Sequence, residues 1–321
     1  MKNKFFFREL TIFLLAVFLV ASCTDEIDRP VFPVSATIFH SVKDKQVAFT
    51  ALTHSAVSWQ WDFGDGKTST EQNPVYVYPE GGYYIATLTA KDANGNIATD
   101  EVKLAIALTP YALLTGDHTR EGYNGKKWKL SSSHVSGGDY LANADAGLTV
   151  VDGTPKPLPD GIFSTEFGMG DVYKDEFTFY YNGDYKHDVK EDGGSFGGLV
   201  YEMVNTGGSG IVNANGKDYG LCIAKYTPQP DATFTFNESE NFTVSSVYAP
   251  PSYSVTFNNV MTLDFSGTEF IGFRDFQRKV ILNKITDSRM QIIMFMAAGT
   301  NPAQIIGVNT NALILSFDAV N

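Results

Sequence analysis

The sequence predicts an all-β protein built as two consecutive β-sandwiches, a small one followed by a larger one. Three observations carry that prediction. Strand-length runs, apolar or alternating, recur along the chain from QVAFTAL near its start to ALILSFD near its end. Turn pairs such as Asn94-Gly95, Asn182-Gly183, Asn215-Gly216 and Ser266-Gly267 lie between them, and such pairs favour tight reversals. No long segment of 3.6-residue period interrupts the series. Composition agrees: of 321 residues, 43% are hydrophobic, 13% aromatic and only 19% charged, so the chain can bury real cores.

Ahead of the sandwiches, residues 1–23 are a different material. Lys2, Lys4 and Arg8 precede an apolar run from Leu10 to Val20, which closes on Val20-Ala21-Ser22-Cys23. A positive start, a short apolar run and small residues before a cut define a secretory signal peptide. The run is too short for a comfortable transmembrane helix. LVASC resembles the lipobox of bacterial lipoproteins, which implies that Cys23 is lipidated and anchors the chain by its acyl groups. The acidic stretch that opens residues 24–30, Thr24-Asp25-Glu26-Ile27-Asp28, is similar to the surface-export signal of Bacteroidetes lipoproteins. That similarity implies an outer-membrane protein facing the exterior; a tether that stays in the periplasm is the alternative. Cys222 in GLCIAKY has no disulfide partner once Cys23 carries lipid, and is expected to be a small buried hydrophobe. A net charge of −12, with no Lys/Arg cluster after Arg8, excludes nucleic acid as a partner. Membrane contact is expected through the lipid alone.

The first sandwich spans residues 31–108, with QVAFTAL, SWQWDF, PVYVY, YYIATLTA and ATDEVKLAIA as its strands. In DANGN, Asn94-Gly95 is placed for a type I′ hairpin turn. So many short strands in so short a span describe an immunoglobulin-like sandwich. Within SWQWDFGDGK, Trp59, Trp61 and Phe63 alternate, so an extended strand sets all three toward the core. Gly64 and Gly66 supply backbone freedom for the turn, and Asp62 and Asp65 can cap its amides. The DFG triplet lacks every other kinase element, and the oxygen ligands of a calcium loop stop at Gly66. The longer run WDFGDGKTSTEQNPVYVYPEGGYYIATLTAKD resembles the PKD family. Its shared pieces here are Trp61 to Gly66, Asn73-Pro74, Tyr78, and Gly82 ahead of Tyr83 or Tyr84; Tyr78-Pro79 departs from the usual turn. The resemblance implies a spacer or interaction module on an extracellular protein.

Residues 109–125 open with Thr109-Pro110 and end in the polar DHTREGYNG, which reads as a short inter-domain join. From 126 to 321 strand signals resume: KKWKL, DEFTFYY, GDYKHDV, GLCIAKY, ATFTF, NFTVSSV, YSVTF, VMTLDF, EFIGF, KVILNKI, MQIIMFM and ALILSFD. That number fits a jelly-roll-like sandwich. Ser131 to Gly170 is the long loop region where function is expected. The order of WKL, DEFTF, YNGDY, MTLDF, FIGF and VILNKITDSRMQIIMF resembles the C-terminal module of PKD-containing surface lipoproteins from Bacteroidetes polysaccharide-utilisation systems. This implies polysaccharide capture beside a SusC/SusD-like uptake pair.

Catalytic motifs are scarce. Glycoside hydrolysis needs two placed carboxylates, but Glu26 and Asp28 lie in the tether and Glu238-Ser239-Glu240 reads as a hairpin tip. Asp175 and Glu176 are adjacent and face opposite ways on a strand. His40, His54, His118, His134 and His187 show no metal-ligand spacing. Gly207-Gly208-Ser209-Gly210 lacks the context of a nucleophile elbow. No catalytic residue and no cofactor is assigned; a structural Ca2+ has weak candidates in Asp171 and Asp175.

Sugar binding needs less conspicuous parts: an aromatic face for the ring and a few polar groups for the hydroxyls. Trp128, alternating with lysines, is expected in the core. The candidates are therefore Tyr173, Tyr248, Tyr253, Tyr140, Phe196, Phe163 and Tyr123 in loops, with Arg274 as a planar donor or as the partner of Asp275 or Asp264. Pro250-Pro251 would hold Tyr248 and Tyr253 apart. The expected function is non-catalytic capture of a polysaccharide, first a neutral β-glucan of laminarin type. An adhesion protein that binds another protein, and a glycoside hydrolase, are the alternatives.

Overall fold

The computed structural model describes residues 32–298 and 306–320. The segment read as a signal peptide, Cys23 and the stretch read as an acidic tether lie outside the described residues. Seven strands form the first unit: β1 (Ser35–Lys43), β2 (Gln46–His54), β3 (Ala56–Asp62), β4 (Thr68–Ser69), β5 (Val75–Val77), β6 (Gly82–Asp92) and β7 (Ile97–Ile106). They make two facing sheets, ordered β1-β2-β5 and β4-β3-β6-β7. Val47, Phe49 and Ala51 point inward from one, and Trp61, Ala86, Leu88 and Leu104 from the other. This is the alternation that a sandwich core demands.

The WDFGDG segment is a strand and a turn. Trp61 and Phe63 are buried, whereas Trp59 sits half-buried at the core's margin, its Nε1 donating to Thr53 Oγ1 over 3.2 Å. Asp62 accepts the Gly64 amide at 2.8 Å and Asp65 the Lys67 amide at 3.1 Å. Tyr78, wholly buried, donates its hydroxyl to Phe63 O at 2.9 Å and pins the far side of the turn. The β6–β7 hairpin departs from the expected type I′ turn. Gly95 N donates to Asp92 O, and Gly95, at φ +87°, is the one residue of DANGN with positive φ. A type I turn closed by a left-handed glycine does the reversal.

The join is not a free tether. Residues Pro110–Thr115 form helix α1, capped by the Thr109 side chain. Leu114 enters the core of the second unit, and its carbonyl accepts Trp128 Nε1 at 2.9 Å. Tyr123 donates to Thr115 O and receives the Tyr181 amide, both at 2.9 Å. These apolar and hydrogen-bonded contacts make residues 110–123 part of the larger unit.

That unit holds β8 (Lys126–Leu130), β9 (Tyr140–Asn143), β10 (Glu176–Phe179), β11 (Tyr185–Asp188), β12 (Gly194–Gly198), β13 (Ile211–Asn213), β14 (Leu221–Lys225), β15 (Phe234–Ser245), β16 (Ser254–Phe265), β17 (Val280–Ile285), β18 (Arg289–Met296) and β19 (Asn311–Val320). Nine strands make one sheet, ordered β11-β10-β8-β19-β18-β17-β16-β15, with β9 also paired to β19. β12, β14 and β13 form a second, small sheet. Phe196, Leu221 and Ile223 of the small sheet pack on Met294, Leu313 and Phe317 of the large one, closing the sandwich. The opposite face of the large sheet carries its own apolar cluster, with Ile293, Phe295, Ala312 and Ile314 covered by β15, β16 and β9. Both faces are buried, which is why MQIIMFM and ALILSFD are continuously apolar. The all-β, two-sandwich expectation holds.

Three local readings change. Glu238-Ser239-Glu240 is no hairpin tip: β15 runs through it, with bulges that shift the register between Asn237, Glu240 and Phe242. Glu240 there pairs with Lys279 at 2.7 Å, which holds its carboxyl below the usual range. FIGF is not a strand but a turn, touching β12 through the single Gly197–Arg274 bridge. An eight-residue helix, α2 (Leu199–Thr206), follows β12 where no helix was expected; Gly198, which precedes it, approaches Asp275 too closely for any side chain.

Candidate binding site

Two loops raised over the small sheet and β9 enclose a cleft of about 450 Å3. The first loop contains a helical turn, Ile162–Thr165, which begins after Gly161 at φ +66°. It drops Phe163 into the core and leaves Phe167 half-buried at the rim. The second runs from Asn213 through a 3-10 turn at Lys217–Tyr219 and sets Tyr219 60% exposed. The Phe167 and Tyr219 rings meet at 5.2 Å with planes 47° apart. Asn213 Nδ2 donates to Gly168 O at 2.9 Å and ties the loops together. Leu141, Leu158 and Ile162 add apolar wall, while Glu166 and Asn215 are the polar groups of the lining. Glu166 is its one charged side chain. Aromatic rings beside one carboxylate and one amide can stack an apolar face and orient hydroxyls.

The cleft wall stands on a buried polar relay. Asp139 accepts Ser316 Oγ at 2.6 Å, Ser316 N at 3.0 Å, and the Nδ1 proton of His134 at 2.8 Å. His134 Nε2 then faces the Tyr173 hydroxyl at 2.8 Å, and that oxygen accepts the Phe163 amide at 3.3 Å. With Asp139 holding the proton on Nδ1, Nε2 accepts from Tyr173. Burial pushes the Tyr173 phenol up to about 12, so it stays a donor at any physiological pH. His134 and Asp139 are fully buried, and every link has a partner, so the relay fixes the Phe163 turn from beneath.

The candidates named from the sequence scatter. Tyr173 positions the cleft through its hydroxyl rather than lining it. Phe163 and Phe196 are buried, their rings 4.8 Å apart with planes at 56°; Phe163 belongs to the cleft's lining from its buried side, whereas Phe196 is corrected to a core residue. Tyr123 bridges Thr115 and Tyr181, as described above. Arg274 pairs with neither Asp275 nor Asp264: its Nη2 donates to buried Glu202 at 2.5 Å and to Lys225 O at 3.2 Å, between the rings of Tyr201 and Tyr226. Tyr248 and Tyr253 are exposed beside the Pro250-Pro251 bond, with the Tyr248 hydroxyl donating to Asn143 Oδ1 at 2.8 Å. Tyr140 is half-buried on the same apolar cluster that Ala249 covers. These three ring the outer face of the large sheet, away from the cleft's lining.

The weak calcium candidates do not converge. Asp171 pairs with Lys174 at 2.6 Å, and buried Asp175 accepts Ser195 Oγ at 2.8 Å, with His187 at 3.5 Å. Among the described residues no group of three His, Cys, Asp or Glu side chains is placed to hold a metal ion. Cys222 is buried, its thiol pushed up to about 12 by that burial.

Phe167, Tyr219, Glu166 and Asn215 were missing from the sequence candidates. A signal existed: NANGKDYG and EFGMG both set an aromatic residue among glycines, which marks a loop-borne ring. Nothing in the sequence told Phe163 from Phe167.

The fold and the cleft define a two-unit β-sandwich protein with a loop-borne aromatic cleft on its larger unit. Residues 33–106 match the PKD domain family, and the first sandwich is a PKD domain. Over 71 residues the chain is 39% identical to collagenase ColA of Bacillus cereus, covering 22% of this chain and 7% of that protein. It is 44% identical over 57 residues to the pre-pro-metalloprotease PrtV of Vibrio cholerae, covering 18% of this chain and 6% of that one. The chain thus spans a small part of the curated relatives it matches. The solved PKD1 domain of PrtV is covered to 100% by 24% of this chain, at 30% identity and a TM-score of 0.23. A structure of carbohydrate-binding modules from the β-sandwich superfamily corresponds over 90% of this chain and 93% of its own, at 13% identity and a TM-score of 0.26.

Proposed function

We propose that the protein captures a polysaccharide without cleaving it, through the Phe167–Tyr219 cleft, while its PKD domain serves as the spacer. The observation that carries this reading is the pair of rim rings beside Glu166 and Asn215 over an apolar floor. That lining holds a single carboxylate, where glycoside hydrolysis uses a facing pair. Glu166 and the net charge of −12 disfavour sulfated or uronate-rich chains, so a neutral β-glucan of laminarin type is the first ligand. Lipidation at Cys23 would hold the protein in the outer membrane facing outward, beside a SusC/SusD-like importer that receives the glycan. The test is native affinity electrophoresis of the soluble chain from Asp25 onward, through gels loaded with laminarin, cellulose derivatives and alginate. Retardation by a neutral glucan, abolished in Tyr219→Ala and Phe167→Ala, is expected. Free migration through every gel overturns the reading.

A second reading, docking to another protein, has its own observation. On the outer face of the β1-β2-β5 sheet, Phe39, Leu52, Val75 and Val77 are each more than half exposed. That patch is separate from the cleft, so both roles are compatible.

A further inference from the structure

The floor of the Phe167–Tyr219 cleft is apolar throughout. Leu141, Leu158, Ile162, Phe163, Leu221 and Leu313 line it, while the lining's carboxylate and amide, on Glu166 and Asn215, belong to exposed residues. The backbone beneath these side chains is already engaged within the fold. The amides of Leu158, Ile162, Phe163 and Leu221 donate to Asp139 O at 2.7 Å, Pro159 O at 3.2 Å, Tyr173 Oη at 3.3 Å and Gly216 O at 3.1 Å. Leu313 is paired on both sides, with Met294 of β18 and Leu141 of β9. A sugar hydroxyl lowered into this floor would exchange water for side chains that neither donate nor accept. Leu141, Leu158 and Ile162 are nonetheless only half-buried, so the floor keeps apolar surface open to an occupant.

We propose that, among neutral glycans, this cleft selects those bearing an apolar substituent, an acyl or aryl group that enters the floor while the sugar lies across the rim; the assignment rests on the glycan-capture reading above. The sugar's hydroxyls then stay with Glu166, Asn215 and water, and its substituent covers apolar surface that a bare sugar would leave wet. A free fatty acid fits less well, because its carboxylate would meet Glu166 in a lining that holds no cation. Capture belongs to the rim and selection to the floor, so each can be altered without the other.

The test is a calorimetric titration of the soluble chain from Asp25 onward with laminaritriose and cellotriose, each as the free sugar and as its 4-methylumbelliferyl glycoside. In at least one pair the glycoside should bind roughly tenfold or more tighter than the free sugar. Leu158→Asn and Ile162→Asn, at half-buried floor positions, should each erase that advantage and leave the free sugar's affinity at the parent's. A cooperative melt establishes that each variant is folded. Equal affinities for glycoside and free sugar in the parent would overturn the selection and leave glycan capture standing. An advantage retained in both folded variants would overturn the floor as the place where the substituent lies. Free methylumbelliferone binding as tightly as its glycosides would overturn the sugar's part in the ligand, and no binding of any of the four would overturn both readings.

Discussion

At the residue scale, the larger unit buries charged groups beside its apolar core. Arg274 and Glu202 form one ion pair there, with Glu202 fully buried and the Arg274 side chain 12% exposed. Removing one partner of a buried pair strands the other, which costs about 3–5 kcal/mol. Arg274→Ala should therefore lower chemical-denaturation stability by about that much, without altering gel retardation by glycan. Next to it, burial lifts the Asp275 carboxyl from 3.8 to about 7, against the pull of the Phe276 and Ala297 amides. The folded protein then keeps a proton that the unfolded chain has already released. Stability accordingly falls as pH rises from about 4 to about 7, and is level above that window. The displacement amounts to at most ~4 kcal/mol. Asp275→Asn keeps the shape without the charge. Its stability relative to the parent should rise across this window, as read by denaturant melts at stepped pH; parallel curves would contradict the assignment.

At the scale of elements, the two glycines of the DFG turn separate two kinds of constraint. Gly64 and Gly66 both have left-handed φ, +81° and +83°. A Cβ on Gly64 would lie 2.4 Å from Ile85 O, whereas one on Gly66 would meet nothing within 4 Å. Gly66→Ala should cost only the backbone term, of order 1–3 kcal/mol, and Gly64→Ala distinctly more, compared by thermal melts. Much of the architecture was legible in such local signals. Alternation placed Trp61 and Phe63 inward, and turn pairs marked most strand ends. The misses came where tertiary structure overrides local pattern. A β-bulge carries Glu238 and Glu240 through the middle of β15, and bulges leave no composition cue. Phe163 and Phe167 are both aromatic residues of one loop, and it is tertiary contact, the Phe163 amide to Tyr173 and its ring against Phe196, that distinguishes the inward one. Tyr173 itself was legible as important, but as a ring for sugar rather than as the hydroxyl beneath the site.

At the scale of the whole molecule, the join is built into the larger unit by Leu114 and Tyr123, so the PKD domain is attached directly to the body. An apolar PKD face and an aromatic cleft are distinct surfaces on one chain, and the proposed glycan capture rests on the second. The most direct test of the central claim is a calorimetric titration of the soluble chain with laminarihexaose, set beside Phe167→Ala and Tyr219→Ala. Ring stacking on a sugar is a desolvated aromatic contact, and losing an interface aromatic of this kind typically costs more than 1–2 kcal/mol. Binding that weakens at least tenfold in each variant, with the cooperative melt of a folded chain retained, is the predicted result. Binding equal to the parent's in both variants would contradict the account, because the cleft would then not be where the glycan sits.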